Sequence, residues 1–83
     1  MSAIEPTEIK IKELISLFDK KKFNELLKLS NVLLDEFPKS ILVLNILGVV
    51  YTELKNYKLA KNLFIKVVNL NPKYTTANIF FYN

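Results

Sequence analysis

The 83-residue sequence contains no cysteine and no histidine. The absence of cysteine excludes disulfides and thiolate-bound metals. The absence of histidine removes the most frequent general base and the most frequent zinc ligand of proteins. Most nucleophilic and metal-dependent chemistry therefore lacks the residues that it requires. We expect a protein that is not an enzyme, with no catalytic residue, no metal site and no cofactor.

Arginine is also absent, so all twelve basic residues are lysines. Guanidinium groups make the paired hydrogen bonds that read guanine and hold phosphate, so specific binding of nucleic acid is not expected. Because there are only eight acidic residues, the formal net charge is +4. An excess of lysine still permits unspecific, salt-dependent attraction to phosphates, which is the weakest of the functions considered.

No apolar run in the sequence is long enough to cross a membrane. The most apolar stretch, 41–51, contains Asn45 and Gly48, whereas a spanning helix needs ~20 predominantly apolar residues. The first residues also lack the cationic start and apolar centre of a secretion signal. These features predict a soluble cytoplasmic protein that does not bind membranes.

The main pattern in the sequence is the helical periodicity of its hydrophobic residues. Hydrophobic residues make up 51% of the chain, and between the prolines they recur at i, i+3, i+4 and i+7, the spacing of one helix face. Strict alternation, which is typical of strands, is missing. The pattern therefore predicts an all-α chain with helices over 7–20, 23–36, 40–54 and 57–70.

The ends of these helices carry recognisable signals. Ser40 and Asn56 stand where N-caps are expected, because each can accept a hydrogen bond from an unpaired backbone amide. Glu5 and Glu8 lie near the start of the first helix, where negative charge complements the helix dipole. Links of two to four residues between the helices favour antiparallel neighbours. The chain is thus predicted to form two helical hairpins in tandem.

The second hairpin resembles the tetratricopeptide repeat. That family places Leu-Gly and Tyr on one helix and Ala, Phe and Pro on or after the next, over ~34 residues, and Pro38 to Pro72 is the same interval. In packing terms, Gly48 and Ala60 let the helices approach closely while Tyr51 and Phe64 fill the space between them. The matching residues are Leu44, Leu47, Gly48, Tyr51, Ala60, Phe64 and Pro72.

The first hairpin matches less well. A one-residue deletion in its turn would put Ile11, Leu14, Ile15 and Phe18 at the positions of Leu44, Leu47, Gly48 and Tyr51. Without the deletion Lys10 and Glu13 would point inward, so we expect the deleted register. In that register Ile15 and Leu26 should widen the gap between the helices, and Ser30, in place of Phe64, should partly compensate.

The hairpin turns depart from the family pattern as well. Lys21 and Lys55 stand where the turns usually have glycine. If the backbone there has positive φ, each lysine costs about 1 kcal/mol. Lysines also cluster at these turns, either as a basic edge that attracts an acidic partner or as a solvated surface; the cluster is Lys20, Lys21, Lys22, Lys55 and Lys58.

The resemblance implies tandem antiparallel helical hairpins in an α-α superhelix. It divides one domain, 1–83, into a degenerate first repeat (7–39), a second repeat (40–73) and a partial third helix (74–83). It also implies a concave groove that binds a protein or peptide. The side chains expected to line it are Lys12, Ser16, Asp19, Leu42, Asn45, Val49, Thr52 and Glu53.

One ligand class of the family is disfavoured. Repeats that clamp the C-terminal carboxylates of a peptide need a Lys and an Asn one turn apart, followed by a further Asn. In this sequence Lys12 is followed by Ser16, and Ile46 occupies the further position, so the clamp is incomplete. The leading hypothesis is a non-catalytic module for protein–protein contact or self-assembly. The alternative is an N-terminal accessory module of a larger enzyme such as a transferase.

The end of the sequence suggests self-association. About three repeats are normally needed for independent stability, so two should seek further burial, and we expect a homodimer closed by the ends of the stack. The apolar tail either docks on a second copy or folds back over the last hairpin. The expected self-association residues are Ile79, Phe80, Phe81 and Tyr82.

Overall fold

The computed structural model describes residues 4–73, and within them the chain is helical with no strand. The all-α prediction is confirmed, and every predicted helix is found to within one residue at each end. The partial third helix (74–83) and the tail residues Ile79, Phe80, Phe81 and Tyr82 lie outside the described residues. The helices are α1 (Glu8–Asp19), α2 (Phe23–Glu36), α3 (Ile41–Glu53) and α4 (Tyr57–Leu70).

The chain divides into two compact units, and the division falls between Val43 and Leu44. The first unit contains α1, α2 and the first turn of α3, and α1 packs against α2. The second unit contains the rest of α3 together with α4. The boundary therefore lies a few residues inside α3, beyond the start of the predicted second repeat at residue 40.

Side-chain oxygens cap three of the helices. Ser40 Oγ accepts from the amide of Val43 at 3.1 Å, and Asn56 Oδ1 accepts from that of Leu59 at 3.4 Å. Both predicted N-caps are confirmed. Thr7 caps α1 in the same way, so each of these helices begins where a short polar side chain satisfies a backbone donor.

Both turns between paired helices have the same hydrogen-bond pattern. In the first turn, Lys22 N donates to Leu17 O and Lys21 N to Phe18 O, both at 2.9 Å. In the second, Asn56 N donates to Tyr51 O at 2.8 Å and Lys55 N to Thr52 O at 3.0 Å. Each turn is a Schellman motif, which ends a helix in a left-handed residue. Every donor and acceptor of the second turn lies 34 residues after its counterpart.

This repetition shows that the expected one-residue deletion in the first turn is wrong. Leu17, and not Phe18, makes the hydrogen bond that corresponds to that of Tyr51. A Schellman motif fixes the number of residues between the last helical turn and the left-handed residue, so it leaves no room for a deletion. The ungapped register also buries no charge. Lys10 and Glu13 are exposed and form an ion pair, with Nζ and Oε1 3.5 Å apart.

The left-handed residues of the two turns are lysines. Lys21 has φ 58° and Lys55 has φ 63°, and no other non-glycine residue among 4–73 has positive φ. A side chain in this conformation crowds the following carbonyl, which glycine avoids. The sequence predicted strain at these lysines only if the backbone there has positive φ. Both turns meet that condition and are therefore strained.

In the second unit, the ring of Phe64 on α4 packs against Gly48 on α3. A Cβ atom at this position would lie 2.6 Å from both Cε1 and Cζ of Phe64, which is too close for any side chain. Ala60 and Phe64 are buried, and the partly buried Val49 and Tyr51 pack against them. Gly48 is therefore needed to accommodate the Phe64 ring, and the close approach of the paired helix that the sequence suggested there stays a prediction.

In the first unit, the equivalent positions exchange the large and the small side chain. In the 34-residue register Leu14 corresponds to Gly48 and Ser30 to Phe64, and both are fully buried. The first pair thus has the large residue on its first helix, and the second pair has it on its second helix. Ile15 is 46% exposed, so the expectation that it widens the gap between the helices is wrong.

We expect Lys21→Gly and Lys55→Gly each to raise the free energy of unfolding by about 1 kcal/mol, because glycine relieves the left-handed strain. Urea unfolding followed by circular dichroism measures the change. Lys66→Gly is the matched control, since it removes the same charge from the interior of α4, where glycine should lower stability by about 1 kcal/mol. Equal effects at positions 55 and 66 would contradict the strain.

We expect Gly48→Ala to destabilise the chain. Overpacking against the Phe64 ring costs about 1–3 kcal/mol, which exceeds the gain in helix propensity of up to about 1 kcal/mol. Combining it with Phe64→Leu should recover about 0.5–3 kcal/mol relative to the sum of the single changes. Combining it with Phe23→Leu, in the other unit, should be additive, and coupling there would contradict a local clash.

Candidate functional site

The candidate site in the second unit is the face of α3 that carries four of the predicted groove residues. Asn45, Val49 and Thr52, three of the residues predicted to line a groove, are partly buried, and Glu53 is exposed. Their spacing of three or four residues places them on one face of the helix. By contrast, Leu44, Leu47 and Val50 of the same helix are buried. The periodicity thus separates the core side of α3 from the candidate binding side.

The polar residues on this face differ in how far their hydrogen bonds are satisfied. Thr52 Oγ1 donates to the Gly48 carbonyl at 2.9 Å, so its hydroxyl hydrogen is already engaged. Asn45 Oδ1 is inaccessible to solvent and has no hydrogen-bond partner among residues 4–73. A buried carbonyl oxygen without a donor costs roughly 1–3 kcal/mol. Of the two side chains, Asn45 is therefore the one with an unmet hydrogen-bonding requirement.

Val49 has two roles. It is partly buried and packs against the Ala60 and Phe64 cluster, although the sequence assigned it to the groove. A β-branched residue on a helix is stiff at χ1, so it presents a fixed apolar surface. Together with Asn45 and Glu53 it gives the face a mixed apolar and polar character, which suits contact with a protein better than contact with a small charged ligand.

The first turn of α3, in the first unit, is held by a residue far away in sequence. The carboxylate of Glu5 accepts hydrogen bonds from the hydroxyl of Ser40, from the amide of Ile41 at 3.0 Å and from the amide of Leu42 at 3.4 Å. Glu5 therefore caps α3. The sequence suggested a different role, in which the negative charge of Glu5 complements the dipole of α1. Leu42, one of the predicted groove residues, is 42% exposed at this capped end.

The predicted groove residues of the first helix are Lys12, Ser16 and Asp19, and all three are exposed on α1. Their assignment depended on the deleted register. In the 34-residue register the positions of Asn45, Val49 and Thr52 are held by Ile11, Ile15 and Phe18, which are apolar. Asp19 alone corresponds to a residue of the α3 set, Glu53. Lys12 and Ser16 remain predictions of a binding role.

Sequence reasoning missed the cap that Glu5 provides. The signal available was a carboxylate preceding Pro6, which is buried and fixes the backbone at the start of the chain. No local pattern specifies that such a carboxylate reaches a helix that begins 36 residues later. This contact could not be predicted because Glu5 and the start of α3 lie far apart in the sequence, and not because its chemistry is unusual.

Among residues 4–73 no group of acidic side chains is placed to hold a metal ion. No helix in that part of the chain is both long and apolar enough to cross a bilayer. Comparison of the chain with protein-family models, with curated proteins and with solved structures found no match in any of the three. The site must therefore be interpreted from its own geometry.

We expect Glu5→Ala to lower the free energy of unfolding by about 1–2 kcal/mol, because it removes a charged acceptor from the start of α3. The amides of Ile41 and Leu42 should exchange hydrogen faster, which NMR measures residue by residue. Glu8→Ala, in the exposed first turn of α1, should cost only a few tenths of a kcal/mol. Equal losses from the two variants would contradict the cap.

Proposed function

We propose that this chain is a non-catalytic module of the tetratricopeptide type that binds a protein partner through the exposed face of α3. The observation that carries the proposal is the mixed character of that face, on which the apolar side chain of Val49 lies one turn from the exposed carboxylate of Glu53. A partner that supplies a donor and an apolar side chain would satisfy both. Recognition would rest on shape and apolar contact, with no covalent step.

The 34-residue recurrence supports a repeat. The two turns share the same hydrogen bonds at this interval, and the interval equals that of the tetratricopeptide pattern. Gly48, Ala60 and Phe64, three residues of that pattern, are buried. A repeat of two helices gains stability from the neighbours that it packs against, so modules of this kind expose faces that accept further contacts.

The Lys10–Glu13 ion pair also supports this reading. These residues hold the positions of Leu44 and Leu47, which are buried in the second unit, and yet they are exposed and pair with each other. The substitution of charges for leucines leaves α3 as the more apolar of the two helices, which favours α3 over α1 as the helix that contacts a protein.

Self-association is part of the proposal. The expected partner is either a different protein or a second copy of the chain. The chain has a mass of 9.7 kDa, and chains of this size bury a comparatively small fraction of their surface alone. A homodimer would add burial without requiring any other molecule. The experiment that follows distinguishes the two kinds of partner by the mass of the product.

The test is site-specific photocrosslinking in the cells that produce the protein. A benzoylphenylalanine at Leu42, on the exposed face of α3, should give discrete protein adducts. The same group at Lys28, which is exposed on α2, is the matched control and should give none. An adduct of twice the mass of the chain identifies a second copy as the partner.

Two outcomes would contradict the proposal. The absence of any adduct at position 42 would mean that the α3 face is not a binding surface. The same adducts from positions 42 and 28 would mean that contact is not confined to α3. Circular dichroism of both labelled proteins should give the helical spectrum of the unlabelled chain, which excludes misfolding as the cause of either outcome.

A further inference from the structure

The turn between α3 and α4 carries a patch that is both apolar and basic. We call it the turn patch; it consists of Leu54, Lys55, Tyr57 and Lys58. Leu54 is 47% exposed and Tyr57 is 61% exposed, and the two lysines are exposed. Neither ammonium group forms an ion pair among residues 4–73. These four residues follow one another in the sequence except for the N-cap Asn56. The packing of the unit does not explain why their side chains are exposed.

In the turn between α1 and α2, the residue equivalent to Tyr57 is packed against a neighbouring ring. There Phe23 corresponds to Tyr57, and its ring centroid lies 5.7 Å from that of Phe18. In the second turn the position of Phe18 is held by Thr52, whose hydroxyl is bonded to the Gly48 carbonyl. Among residues 4–73 Tyr57 therefore has no aromatic neighbour of this kind, and it is exposed.

The apolar content of the patch is also specific to the second turn. Leu54 corresponds to Lys20 in the 34-residue register, and Lys58 corresponds to Asn24. The first turn thus presents three consecutive lysines, whereas the second combines two lysines with a leucine and a tyrosine. Tyrosine is enriched at protein interfaces, where its ring supplies apolar area and its hydroxyl a hydrogen bond.

Backbone strain does not distinguish the second turn, because Lys21 (φ 58°) and Lys55 (φ 63°) share the left-handed conformation. The side chains distinguish it. Lys55 makes no ion pair or hydrogen bond among the described residues, and the exposed Leu54 and Tyr57 lie close to it in the sequence.

We propose that the turn patch binds an acidic segment of a protein partner. Lys55 and Lys58 face its carboxylates, and Leu54 and Tyr57 contact an apolar side chain of the segment. A protein fits better than nucleic acid, because the chain has no arginine and a single tyrosine offers only one stacking surface. This surface is distinct from the α3 face, so the failure of either proposal leaves the other standing.

The experiment measures the binding of a fluorescent peptide of Glu and Asp with one Leu-Phe pair at its centre. Fluorescence anisotropy at low salt gives the dissociation constant. Tyr57→Ala should weaken binding about fivefold or more, as expected for an aromatic anchor. Lys55→Gly should weaken it about two- to fivefold, as expected for one exposed charge pair. The same Lys55→Gly variant should melt at a higher temperature, so weaker binding cannot be a consequence of unfolding.

Lys21→Gly is the matched control, because it removes an identical charge from the equivalent residue of the other turn. It should raise the dissociation constant only as much as the loss of one net charge requires, and by less than Lys55→Gly does. An equal loss from Lys21→Gly and Lys55→Gly would overturn the proposal and indicate unspecific attraction. So would unchanged binding in Tyr57→Ala.

A single-stranded oligothymidylate is tested beside the peptide. If it binds more tightly than the peptide and depends on Tyr57 and Lys55, the patch is a nucleic-acid surface and the assignment to a protein segment is wrong. If the peptide binds more tightly, and a peptide with Gln and Asn in place of Glu and Asp does not bind, the assignment is supported.

Discussion

The structure depends on size complementarity where the two helices of each pair meet. At this point one helix must present a small residue and the other a large one, because two large side chains would clash and two small ones would leave a cavity. Gly48 and Phe64 meet this requirement in the second unit, where a Cβ atom on Gly48 would lie 2.6 Å from the ring. Leu14 and Ser30 hold the equivalent positions in the first unit and are both fully buried, with the sizes exchanged.

Features determined by neighbouring residues were predictable. Helix bounds follow from periodicity over a few turns, and the caps Ser40 and Asn56 accept bonds from residues only three positions ahead. The burial of Phe64 between α3 and α4 was also predictable, because the pattern of the second pair identifies it. The candidate face of α3 follows from the same helical spacing, and most of its predicted members are exposed or partly buried. Its role in binding remains a prediction.

Other features could not be predicted, for physical reasons. The register of α1 was predicted wrongly, because the ungapped alignment puts the charged Lys10 and Glu13 at the positions of the buried Leu44 and Leu47. The turn hydrogen bonds decide it, and they depend on backbone geometry that side-chain type specifies weakly when lysine replaces glycine. The Glu5 cap joins residues 35 and 36 positions apart, and a carboxylate has many possible donors at that separation.

The two candidate surfaces are constrained to different degrees by the fold. On α3, exposed positions such as Leu42 and Glu53 alternate with the core residues Leu44, Leu47 and Val50, and Val49 belongs to both sets. A change on that face therefore disturbs packing as well as binding. None of the turn-patch residues belongs to the buried core, and Lys55 opposes stability. Surface residues of this kind can change with little effect on folding. If both proposed surfaces bind, the α3 face would therefore keep a fixed shape, whereas the turn patch could change its specificity independently of the fold.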